Sequence, residues 1–114
     1  MAIQRSSRAL GSPNTLATTL EVNDETGEAS LYANNGIMGR TLIATANNAG
    51  DEWSVKNEFR TRWNRENGLS LNNGDFLDLF NTDIKKTINN DKASLINKHA
   101  SDSLKKSLKD AGVP

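Results

Sequence analysis

The chain has 114 residues, with 14 Lys and Arg against 14 Asp and Glu, and no Cys. That length supports one domain at most. Zero net charge provides no global field toward nucleic acid or anionic lipid, and the lack of Cys excludes disulfides, zinc–thiolate sites and thiol nucleophiles.

Hydrophobic residues make up 35%, eleven of them Ala, against roughly 45–50% in average chains counted with Gly. The core is therefore expected to be thin, as in either a marginal monomer or a chain that completes its core against a partner. No apolar run approaches the ~18 residues that span a bilayer, no secretory core is present, and no Asn-x-Ser/Thr acceptor occurs. The expected location is the cytoplasm or a virion, neither secreted nor transmembrane.

Residues 1–14 contain no acid and two arginines, Arg5 and Arg8. Ile3, Ser7 and Leu10 have helical spacing, but Gly11-Ser12-Pro13-Asn14 stops a helix there. The segment reads as a flexible or extended arm, with an arm that orders on a neighbouring subunit as the alternative. Its acid-free, Arg/Ser-rich composition is shared with short transit peptides.

Residues 15–114 read as a single small α+β domain, with a β-meander over 15–49 and a helical part over 51–111. Strands are expected at 18–22, 29–33 and 39–47. The polar turn 23–28 joins the first two. Asn35-Gly36 signals a two-residue hairpin, whose type I′ turn needs positive φ at both positions. Three antiparallel strands covered by helices are the expected sheet.

From Asp51 the period becomes helical. A first helix is expected over 52–66, capped by Asp51 and ended by Asn67-Gly68. Val55, Phe59 and Trp63 form its apolar stripe. Glu52, Glu58 and Glu66 are spaced to pair with Lys56 and Arg62, so this is chiefly a packing helix with paired flanks. The flank Trp53, Lys56 and Arg60 is the exception. It suits phosphate or base contact, or a protein-binding hot spot.

A second helix is expected over 75–89, with Phe76, Leu77, Phe80, Ile84 and Ile88 on one stripe. Asn89-Asn90 should break it, and Asp91 should cap a third helix to about 110. That helix's stripe is Ile96, Ala100, Leu104, Leu108 and Ala111, and Gly112 is its stop. Its lysines, Lys98, Lys105 and Lys109, form a solvated face.

His99 stands alone, without a second ligand or nucleophile. Asp75, Asp78 and Asp83 fit the first turns of a helix, where acids are favoured. No calcium-loop, Walker, dinucleotide-binding or G-x-S-x-G motif is present, and no cofactor or metal site is expected. The expected fold is therefore α+β, a three-stranded meander followed by three helices.

The expected function is a non-enzymatic structural subunit that binds other protein subunits, such as a phage or virion accessory protein of the capsid, neck or tail. Arg5, Arg8, Trp53, Lys56 and Arg60 are the candidate contact residues. A nucleic-acid-binding or regulatory module using the Trp53 flank is the alternative, and a protein inhibitor of one target a weaker one. No membrane partner is expected.

Overall fold

The computed structural model describes residues 3–10, 16–47 and 52–99, without the side chain of His99. The fold is α+β, built on a five-stranded antiparallel sheet in the order β1-β2-β3-β4-β5. The strands are β1 (Ile3–Leu10), β2 (Leu16–Asn23), β3 (Ala29–Asn34), β4 (Arg40–Ala46) and β5 (Ser54–Val55). The helical part comprises α1 (Asn57–Asn67), then α2 (Asn73–Leu79), a π-turn (Phe80–Ile84) and α3 (Lys85–His99), with no break between the last three.

The sheet has five strands where three are expected, because β1 and β5 add to the two ends of the meander, and further expectations are corrected. Residues 3–10 are not a separate arm: they pair with β2 along their whole length, from Ile3 opposite Asn23 to Leu10 opposite Leu16. The helix expected from residue 52 begins at Asn57, because Ser54–Val55 pairs with β4 and the Lys56 N–H donates to the Ile43 carbonyl at 2.9 Å. The expected break at Asn89-Asn90 does not occur. The proposed Asp51 cap, and the third helix and its lysines beyond residue 99, lie outside the described residues.

The strands alternate as half-buried strands should. Leu16, Thr18, Leu20 and Val22 of β2 are buried, as are Ala29, Leu31 and Ala33 of β3. The register slips between Leu31 and Tyr32, so Leu31 faces Ala44 while Tyr32 faces Leu42. Ile43 is the extra residue of this bulge. Consecutive Ile43 and Ala44 are thereby both fully buried.

The β3–β4 hairpin is present, but its turn is not the two-residue type. Residues 35–39 form a longer loop, closed by Asn35 N–H to Gly39 O at 2.8 Å and Met38 N–H to Asn35 O at 3.1 Å. Asn35 has φ −109°, while Gly36 and Gly39 take φ 63° and 94°. The positive angles fall on the two residues without a Cβ to clash.

Helix α1 ends as expected: Gly68 is left-handed and its N–H returns to Asn64 O. The Asn72 side chain caps α2 by accepting from the Asp75 N–H at 2.8 Å. Phe76, Phe80, Ile84, Ile88, Lys92 and Ile96 are all buried. They recur every four residues, and each step of four advances about 40° around an α-helix. Five steps, about 200° in all, would carry the stripe past the opposite face. The π-turn, with its extra residue, sets the phase back by roughly 100°. The whole series therefore stays in one core.

Phe59 is the hub of the aromatic core. Its ring centroid lies 5.2 Å from Phe76, 5.9 Å from Phe80 and 6.4 Å from Trp63. Phe59→Ala should cost about 3–5 kcal/mol. Urea unfolding checks this; a loss below about 1 kcal/mol would mean that the cluster does not hold α1 to the longer helix.

Candidate interaction surface

Alternation gives the sheet two chemically distinct faces. Gln4, Ser6, Arg8 and Leu10 stand on the inner face, opposite the buried Val22, Leu20, Thr18 and Leu16. Ile3, Arg5, Ser7 and Ala9 stand on the outer face with Thr19, Glu21, Ser30 and Tyr32.

A polar network crosses the outer face. The Glu21 carboxylate accepts from Arg5 Nε at 2.6 Å and from Arg40 Nη1 at 2.7 Å. On its way Arg40 lies over the Tyr32 ring, 3.9 Å from its centroid, a cation–π contact. Four strands are thus tied by one carboxylate and one ring. The Glu21 carboxyl is held below the usual range, first by the Arg40 hydrogen bond and then, against burial, by that from Arg5.

The hairpin loop carries the most exposed apolar side chains of the described residues. Ile37 is 102% exposed and Met38 82%. The loop base is clamped from α1: Arg62 donates to the Asn35 side-chain oxygen and, at 3.1 Å, to the Asn34 carbonyl. Asn35 Nδ2 in turn donates to Thr41 at 3.0 Å. A free loop would fold such residues down or splay them. This one holds an apolar pair in water on a pinned base.

The five residues singled out from sequence do not form one patch. Arg5 lies on the outer face, bound to Glu21. Arg8 reaches the other way, donating twice to Asp91 of α3 at 2.6 and 2.9 Å. Asp91 is therefore a mid-helix ion-pair partner, not a cap. Trp53 also turns to α3: its indole N–H donates to Asn89 at 2.6 Å, and Lys92 Nζ sits 5.5 Å from its ring centroid. Lys56 is exposed at the start of α1, and Arg60 is half-buried. The expected Arg62–Glu66 pair is present at 4.0 Å, but Glu52 meets Lys85 at 3.8 Å.

Sequence reasoning passed over Ile37, Met38 and the Arg62 clamp. The signal was present in Gly36-Ile37-Met38-Gly39, where two large apolar residues fill a turn that polar residues usually occupy.

A cleft of about 440 Å³ opens beside the π-turn, lined by Leu10, Trp63, Leu69, Leu79, Asp83 and Ile84, among others. Its size suits a small ligand. Its walls are mainly apolar, and Arg8 at its rim is engaged by Asp91. Among the described residues no group of three His, Asp or Glu could hold a metal ion, and no described helix is long and apolar enough to cross a membrane.

A carboxylate whose folded pKa is depressed contributes stability above its unfolded pKa and loses it as pH falls through the folded value. Glu21→Gln should therefore lower the melting temperature near pH 7. The gap to the wild type should close as pH falls below about 4. An equal gap near pH 3 and pH 7 would show that the charge of Glu21 contributes nothing.

Comparison with family models, with curated proteins and with solved structures found no match to this chain.

Proposed function

We propose that this chain is a non-enzymatic subunit of a larger protein assembly, which it joins by seating the Ile37–Met38 tip in an apolar pocket of a neighbouring protein. The observation that carries this reading is the tip itself: two adjacent, almost fully exposed apolar side chains on a loop clamped by Arg62. The chain does not need the tip for its own core, which closes beneath the sheet from Leu10 to Ile96. A contiguous core also changes the motive for assembly. The sparse composition suggested a core left open; the support now comes from what is displayed outside it. The absence of a described catalytic cluster is compatible with this role but does not select it. A virion or phage accessory complex is the setting proposed, on small size and Asn/Thr/Ser-rich composition alone.

Fully burying an Ile or Met side chain is worth roughly 1.5–3 kcal/mol. Replacing both Ile37 and Met38 by Ser should therefore weaken partner binding by about 30-fold or more, with an unchanged circular dichroism spectrum. The check is co-fractionation from the native source at matched expression. The wild type should run in a particle larger than itself and the double variant should run free. Equal co-fractionation would contradict the docking role of the tip. So would binding to anionic vesicles, or to nucleic acid with a steep salt dependence, that the double variant loses.

A further inference from the structure

A second surface, independent of the tip, is the free edge of β1. Among the described residues no strand pairs with its outer side, since β1 ends the sheet order. Edge strands of this kind are normally guarded by bulges, prolines, free charges or short length. β1 has no bulge, no Pro and is not short, and its one inward-pointing charge, Arg8, is held by Asp91. It runs eight residues in unbroken register, contains no Pro, and carries Ser6, Ser7 and Ala9 at and beyond its centre. Its two cations are neutralised from within the chain, Arg5 by Glu21 and Arg8 by Asp91.

We infer that β1 pairs antiparallel with β1 of a second copy, joining two five-stranded sheets into one of ten strands. A two-fold axis perpendicular to the sheet keeps each face continuous. It also requires that opposed residues come from the same face, so the axis must pass through a residue of β1. Centring on Arg5 would oppose Arg5 to Arg5, and centring on Arg8 would oppose Arg8 to Arg8. Like charges directly opposite destabilise a pair. The two central registers remain.

Centred on Ser6, the dimer sets Gln4 against Arg8 and the half-exposed Ile3 against Ala9. Centred on Ser7, it sets Arg5 against Ala9 and Ser6 against Arg8. Neither opposes two cations, and zero net charge adds no long-range repulsion between copies. This strand is thus compatible with itself in the two registers that pair all but one of its eight residues. That is the argument for a second copy over an unrelated strand.

The test uses the full chain. Light scattering over a concentration series should show a mass moving from one copy to two. Ser7 is exposed and meets Arg5 or itself in either register, so Ser7→Lys should raise the dimer dissociation constant about tenfold without unfolding the monomer. The chain has no Cys, so single cysteines report proximity cleanly. Ser7→Cys should cross-link under mild oxidation far faster than Ser30→Cys on the central strand β3. A single-copy mass at every concentration would overturn the proposal. A dimer that Ser7→Lys leaves unchanged would do so too, as would faster cross-linking at Ser30. None of these outcomes bears on the tip, so failure here is separable from failure of the proposed function.

Discussion

The helical segment from Asn73 to His99 must keep side chains spaced by four buried in one core, Phe76 and Phe80 against the aromatics of α1 and α3 against β1 and β2, and this phase constraint organises the molecule. An uninterrupted α-helix would rotate the later members of the series away. The π-turn at Phe80–Ile84 holds Phe76 and Ile96 to the same task. The polar partners follow from that placement. With α3 set against the sheet, Asp91 is in reach of Arg8, and Asn89 and Lys92 are in reach of Trp53. The first contact fastens β1 and the second fastens the entry to α1. Both link segments far apart in sequence, so the helix acts as a spine for both ends of the described fold.

Among the described residues, the same arrangement leaves two surfaces without internal use. The inner face of the sheet is consumed by the core and the outer face is knitted by Glu21, Arg5, Arg40 and Tyr32. The outer edge of β1 and the Ile37–Met38 tip stand apart from both. They differ in chemistry: one presents backbone donors and acceptors, the other apolar side chains.

Much of the meander was legible from residues 16–47. Thr18 to Val22 and Ala29 to Ala33 alternate, and turn residues separate the strands; Arg40 to Ala46 departs from alternation at the Ile43 bulge. The strand β1 was hidden because its inner positions Gln4, Ser6 and Arg8 are polar. Leu10 alone joins the core, and the stabilising partner of Arg8 lies 83 residues away. The four-residue spacing of Val55, Phe59 and Trp63 runs across a strand and a helix, so it extends the expected helix back to Trp53. Asn89-Asn90 looked like a break because Asn is a weak helix former; the tertiary hydrogen bond from Trp53 overrides that preference. The stripe from Phe76 to Ile88 was read correctly, but the π-turn that preserves it has no signature a wheel at 100° per residue can register.

The central claim is that β1 belongs to the sheet and offers its outer side to another chain. Residue-resolved amide hydrogen exchange on the full chain, in dilute and concentrated solution, tests it most directly. At high dilution, amides along Ile3–Leu10 should alternate, those aimed at β2 protected and those aimed outward exchanging freely. At high concentration the outward set should gain protection. Fast exchange along the whole strand would show that it is not held by β2. Uniform protection at every dilution would show that the edge is already covered, and would contradict the account.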